Sequence, residues 1–257
     1  MREYLTSSSK LPMFRSANGL VIKLKCAARR GVDPEEILQG TGLHASDLDD
    51  PEIFITPAQE LLILRKVLDR VDDPQFGLFV GRNYDAVVLG KWAIAAMYST
   101  TVMEAFQIGM RYMDLSHTYF QIELKVHGHK AYLTLKELMD LGRCRKFLHE
   151  SHIKALHQLC SGILGEPVPL HDIGFAFAKP DYARVYQEIF NCPVRFNAEQ
   201  TVVIFNSDYL SLPMPQANPL TKKIYENECK RLLQSLNALE TTRDMVYRNL
   251  MCDHEVF

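Results

Sequence analysis

The chain has 257 residues, 47% of them hydrophobic, with 29 basic against 31 acidic side chains and a net charge of −2. That is enough apolar chain to bury a sizeable core, as one large domain or two small ones. Basic residues are scattered or in twos and threes, so there is no basic face to displace phosphate counterions, which argues against this stretch being itself a reader of DNA.

The opening "MREYLTSSSKLPMF" has no apolar signal-peptide core, and no run approaches the ~18 uninterrupted apolar residues of a membrane span, so a cytoplasmic protein without membrane contact is expected. Cys26, Cys144, Cys160, Cys192, Cys229 and Cys252 lie far apart with no CxxC pair. That is the pattern of reduced structural thiols rather than of a disulfide framework or a zinc site.

The first third reads as helical. "SANGLVIKLKCAARRG" predicts a helix ending at Gly31. "DPEE" (33–36) supplies an Asp cap, a Pro at the first helical position and Glu36 at the third; "TPAQE" (56–60) repeats the device with Thr56, Pro57 and Gln59. "QELLILRKVLDRV" then runs to the turn "DDP". "VVLGKWAIAAMY" (87–98) follows, and then "TVMEAFQIGMRYMDL", where Thr101 and Glu104 suit a capping box. There Val102, Ala105, Phe106, Gly109, Met110 and Met113 form one buried helical face.

The period then changes from helical to alternating. Phe120, Ile122, Leu124 and Val126 alternate with Tyr119, Gln121, Glu123 and Lys125, and after "HGH" the pattern resumes at Ala131, Leu133 and Leu135. An antiparallel hairpin with one wet face is expected. A long helix over 143–164, a strand "DIGFAFA", a helix "DYARVYQEIF" capped by Asp181 and a strand "TVVIF" come next. Asn218 and Pro219 launch a helix to about Ala238. Thr241 and Thr242 then suit the cap of a separate closing helix in "TTRDMVYRNLMCDHEVF". The order implies an α+β fold, a helical N-terminal part packed on a mainly antiparallel sheet with flanking helices.

Catalytic signatures are absent: there is no GxSxG elbow, GxGxxG turn or GxxxxGK[ST] loop, so no enzyme is expected. "HESH" differs from HExxH in spacing; His149 and His152 are three apart, and the plain reading is not a metal site. His152 also falls within the apolar stripe Cys144, Leu148, Ala155, Leu156, Leu159 and Ile163. A ring there is either satisfied by a core neighbour or makes a polar contact in a ligand cavity.

Trp92, the single tryptophan, sits among small residues that allow either close helix packing or a pocket wall. In "IGFAFA", Ile173, Phe175 and Phe177 leave a nearly flat opposite face for a helix or a ligand. Met97, Met103, Met110 and Met113 are adaptable lining or ordinary core. Arg111, Tyr112, His117, Arg143 and Arg145 could meet an anionic ligand, or simply be surface. On 219–238, Tyr225, Cys229, Leu232, Leu236 and Leu239 form a stripe suited to a partner helix or to the domain's own body.

The order of several stretches carries a family likeness: "ARRGVDPEEILQGTGL", "DPEIFITPAQELLIL", "DDPQFGLFVGRN", "LGKWAIAAMYSTTVMEAFQIGMRYM" and "IFNCPVRFNAEQTVVIFNSDYLSLPMPQANP". From about 15 to 250 the chain resembles the N-terminal effector-binding, arabinose-binding-like domain of a branch of the AraC/XylS family of bacterial transcription regulators. The resemblance implies a sensor of a small metabolite, without a cofactor, in a homodimeric regulator that meets DNA through a C-terminal domain of two helix-turn-helix motifs. No such motif occurs in this sequence.

The expected layout is an effector-binding domain over 1–240, helical over about 15–115 and α+β over about 116–240. Residues 241–257 would begin a linker to an absent DNA-binding domain. The resemblance carries over no fixed pocket motif. On physical grounds the expected effector residues are Trp92, Met97, Phe106, Tyr112, His117, Arg143 and His152, at the junction of helices and sheet. The alternative is a dimerisation or protein-interaction module with no small-molecule effector.

Overall fold

The structure, a computed structural model, describes residues 4–50 and 53–252, and at positions 87, 88, 239, 240 and 242–252 the backbone alone. The end of the expected linker, 253–257, lies outside the described residues.

The helical first part is α1 (Asn18–Ala28), α2 (Pro34–Leu38), α3 (Pro57–Arg70), α4 (Phe76–Gly81), α5 (Ala86–Leu89), α6 (Lys91–Met97) and α7 (Val102–Arg111). Caps set these starts. Asp33 accepts from the Glu35 amide, and Thr56 and Gln59 form a full capping box with Pro57 between them. Thr101 accepts from the Glu104 amide, while the Glu104 carboxylate reaches one residue further back, to the Thr100 amide at 2.6 Å. The stretch 87–98 is two helices, because Gly90 takes φ +89° and breaks the run between α5 and α6.

The strands are β1 (Tyr4–Thr6), β2 (Arg15–Ser16), β3 (Phe54–Ile55), β4 (Phe120–His127), β5 (Lys130–Glu137), β6 (Leu170–Gly174), β7 (Val194–Arg195) and β8 (Thr201–Asn206). β2 and β3 pair by themselves; the other six form one sheet in the order β1-β4-β5-β8-β6-β7, antiparallel except for β6 with β7. β4 and β5 make the expected hairpin, with Ile122 opposite Leu135 and Leu124 opposite Leu133. Phe120, Ile122, Leu124, Ala131, Leu133 and Leu135 are all buried on one face. Each of the larger side chains contributes about 1.5–3 kcal/mol, and the alternation fixes register, since a one-residue slip would turn the whole set to solvent.

Tyr119 departs from the wet-face reading. It precedes the start of β4, is buried, and turns its hydroxyl back to α3.

Over the buried face lie α7, whose Phe106 stacks on Phe205 of β8 with centroids 6.4 Å apart, and α8 (Arg145–Leu164), whose His149 ring lies 4.6 Å from that of Phe120. α4 packs against α8 at very close range. A Cβ built on Gly77 would come 2.9 Å from the Phe147 carbonyl oxygen, and one on Gly81 would come 2.7 Å from that of Ser151. α9 (Ala183–Phe190) begins after Tyr182, which makes no side-chain cap bond, so Asp181 is not its cap.

The last element is also not as expected: α10 (Pro219–Cys252) is one continuous helix. Thr241 does not cap a new segment; its hydroxyl bonds the Asn237 carbonyl one turn back, an arrangement compatible with helix interior. Of the expected stripe, Tyr225 and Cys229 pack on the domain's own body with Leu233 beside them, against Ala95, Ala96, Ile108 and Tyr112, and the side chain of Leu239 lies outside the described residues. Among the described residues, no helix is long and apolar enough to cross a membrane.

Candidate functional site

Between α6, α7, α8 and the strands β4 and β5 the packing leaves a cavity of about 160 Å³. Its wall is almost wholly apolar. α7 contributes Ala105, Phe106, Gly109 and Met110; α8 contributes Leu148, Ala155 and Leu156; the sheet contributes Phe120, Ile122 and Leu133. The spacing that makes α7 amphipathic thus points its apolar face into a space that the neighbouring side chains do not fill.

Four of the seven expected residues line this cavity: Trp92, Phe106, His117 and His152. The other three lie elsewhere. Met97 is half-buried at the end of α6, away from the lining. Tyr112 is buried on the far side of α7, its hydroxyl donating to the Glu226 carbonyl of α10 at 3.4 Å. Arg143 is exposed and paired with Asp69 at 2.6 Å.

His152, expected either as a satisfied core ring or as a polar contact in a ligand cavity, stands in the cavity wall. It lines the space with its ring 5.3 Å from that of Phe120, and no hydrogen bond satisfies it among the described residues. Burial lowers its pKa to about 4. His149, by contrast, is a structural histidine with both ring nitrogens engaged, by Glu137 at 2.9 Å and Thr201 at 2.8 Å. No group of three or more His, Cys, Asp or Glu side chains that could hold a metal gathers among the described residues.

Polar chemistry enters where α1 meets the cavity. Lys23 lines it and donates to Glu60 of α3, and Arg15 reaches the same carboxylate at 3.4 Å with its guanidinium 4.4 Å from the centre of the Tyr119 ring. The Tyr119 hydroxyl donates to Glu60 at 2.8 Å. All four side chains are almost fully buried.

Glu60 is held at a pKa of about 2, against its own desolvation, by the adjacent Lys23 and Arg15 cations. The His117 ring packs on Gly19 of α1, where a Cβ would come 2.8 Å from the His117 Cβ. Its Nδ1 is buried with no partner among the described residues, and burial lowers its pKa to about 4. The Trp92 Nε1–H is likewise buried with no partner among the described residues.

Sequence reasoning missed Lys23, Arg15, Glu60 and Tyr84, the last also in the cavity wall with its hydroxyl donating to the Gly19 carbonyl at 3.3 Å. A signal existed for two of them. Lys23 sits in the apolar face Leu20, Leu24, Ala27, and Glu60 in the face Ile63, Leu64, Val67, so each charge lies inside a stripe that must be buried.

Residues 31–214 match the family described as the arabinose-binding domain of AraC transcription regulators, N-terminal. The chain belongs to this family. It is 26% identical over 253 residues to an ornithine utilization regulator of Pseudomonas aeruginosa, a match that covers 98% of this chain and 73% of that protein. An uncharacterized HTH-type transcriptional regulator of Mycobacterium tuberculosis is 33% identical over 99 residues, 38% of this chain and 29% of its own length.

Among solved structures, the transcriptional regulator CdpR of P. aeruginosa shares the fold with a TM-score of 0.63 at 16% identity, over 81% of this chain and 61% of that one. The chain therefore spans less than two thirds of that regulator. The relatives are transcription regulators, and the arabinose-binding-type domain described here is a regulatory domain of that kind. Most of the cavity lies within the matched segment, and Lys23 lies before it.

Proposed function

We propose that this AraC-family domain senses a small cytoplasmic metabolite by enclosing it in the cavity between α7, α8 and the sheet, and so controls DNA binding and transcription by a full-length regulator. The observation that carries this reading is an unfilled, mainly apolar cavity next to ring nitrogens that have no partner among the described residues. Such a combination wastes packing and hydrogen bonding unless something occupies it. α7 is the wall through which occupancy would act. One face lines the cavity and the other packs on α10, so a ligand favouring one placement of α7 would bias α10 and whatever follows it. DNA contact would come from a helix-turn-helix domain outside this chain, in a homodimer.

A thermal-shift screen of cytoplasmic metabolites tests the reading, and the Pseudomonas relative's name makes ornithine one compound to include. A compound at a hundred times its Kd stabilises the fold by ~2.7 kcal/mol, a rise of roughly 5–10 °C for a domain of this size.

The second reading is a dimerisation module with no effector. It is favoured by Leu220 and Ile224, one turn apart on α10 and respectively 71% and 54% exposed. A screen without shifts, together with a concentration-dependent dimer abolished by Ile224→Glu, would support it.

A further inference from the structure

The charges around the cavity do not balance. Lys23 and Arg15 are cations buried to 3% and 1% exposure, and Glu60 is the carboxylate that pairs with both among the described residues. Two positive charges thus share one negative charge in a water-poor interior, where a net charge is costly. The shortfall is also visible in hydrogen bonding. Among the described residues, Arg15 Nε and Nη2 are buried with no acceptor and the His117 Nδ1 has no partner. Among the described residues the cavity lining includes Lys23 and no Asp or Glu.

Resting on the sensing role proposed above, we infer that the ligand is a compact apolar monocarboxylate, its carboxylate on Lys23 and its hydrocarbon body among Phe106, Met110, Phe120, Leu148 and Leu156. One negative charge brings the buried cluster Arg15, Lys23 and Glu60 to neutrality. A carboxylate accepts from the ammonium and from a ring N–H of His117 or Trp92, whereas an ammonium ligand would find no anion in the wall.

The volume sets the size of the body. A cavity of about 160 Å³ is close to the ~150 Å³ that accommodates benzene in an engineered apolar cavity. An aryl or short branched-chain acid fits that space. A free amino acid such as ornithine carries charges the wall cannot meet, and a phosphate monoester carries one negative charge too many.

Calorimetric titration of the full 257-residue chain with phenylacetate, benzoate and hexanoate, beside phenylacetamide, phenyl phosphate and L-ornithine, tests this. The acids are expected to bind, and the amide at least ~10-fold more weakly, the factor for losing a charged hydrogen bond. Lys23→Gln is expected to weaken the acids by a similar factor and leave the amide unchanged. Because Lys23→Gln disturbs a buried pair, Gly109→Met serves as a second variant. Its side chain enters the cavity from a well-formed helix and is expected to abolish binding while the chain remains folded.

Amide, phosphate or ornithine binding that Gly109→Met abolishes, with no preference for the acids, overturns the carboxylate assignment and leaves the sensing role standing. Acid binding that survives Gly109→Met overturns the assigned place. No binding by any probe overturns the carboxylate assignment. If, in addition, no metabolite in the wider screen shifts the melting temperature, the sensing role falls with it.

Discussion

Phe106 and Ile108 stand two positions apart on α7 and face opposite ways. Phe106 lines the cavity and stacks on Phe205, while Ile108 is buried against α10 beside Cys229. Two residues at about 100° each turn the side chain by about 200°, so one short helix is shared between the cavity and the last helix. Polar ties reinforce the second face. Arg111 pairs with Glu226 at 2.9 Å, and Glu104 is paired with Lys222.

Ile108→Ala is therefore expected to cost roughly 2–4 kcal/mol, the range for truncating a buried aliphatic side chain, and to loosen α10 first. Urea unfolding gives the cost. Hydrogen exchange gives the location: amides in 219–236 should exchange faster than in the unaltered chain, with those of β4 and β5 unchanged.

Glu60→Gln removes the anion that Lys23 and Arg15 share. A loss of about 3–5 kcal/mol is expected, because two buried cations are left without a partner. Glu36→Gln breaks the exposed pair with Arg70, 2.9 Å long with side chains 55% and 61% exposed. It should cost less than about 1 kcal/mol. Equal effects in denaturant titrations would mean that the Glu60 cluster is not desolvated as described.

Acid should destabilise the domain in two stages. His117 and His152 have pKa values lowered by burial from 6.5 to about 4, so the unfolded chain takes up their protons first. Stability should be full above about pH 6.5 and fall as pH drops towards 4. Glu60, lowered from 4.5 to about 2, contributes stability that is present above 4.5 and lost below it as pH falls towards 2. Unfolding free energies at pH 7.5, 6.0, 5.0 and 4.0 should trace the first stage, and His152→Asn should flatten it.

One substitution should act with opposite signs at two glycines. At Gly109, within α7, an added methyl meets the Trp92 ring at 3.5 Å and nothing closer among the described residues. Gly109→Ala should stabilise by about 0.5–1 kcal/mol through helix propensity. At Gly77 the methyl would lie 2.8 Å from the Glu150 Cβ and 2.9 Å from the Phe147 carbonyl oxygen. Gly77→Ala should destabilise by roughly 1–3 kcal/mol as α4 is forced off α8. Thermal melts of the two variants decide it.

Much of this fold is written in local patterns. Pro57 behind Thr56 starts α3, the alternation from Phe120 to Leu135 sets the hairpin, and His152 within an apolar stripe marks the cavity wall. Patterns that depend on distant partners are not legible in that way. The Glu60 cluster joins residues 37, 45 and 59 positions away, and each segment alone reads as an ordinary amphipathic helix or strand. Tyr112 and Met97 carry the same residue chemistry as the cavity residues. Only the rotation of α7 and the docking of α10 take Tyr112 to the opposite side. Thr241 and Thr242 suit a cap, but continuous helical backbone from Pro219 onward leaves no break to be capped.

We propose the space between α7, α8 and the sheet as the place where this AraC-family domain receives its effector. The most direct measurement is a crystal structure of the chain with the compound that raises its melting temperature most. Density for that compound is expected in contact with Trp92, Phe106 and His152. Density at any other place, with that cavity still unfilled, would contradict it.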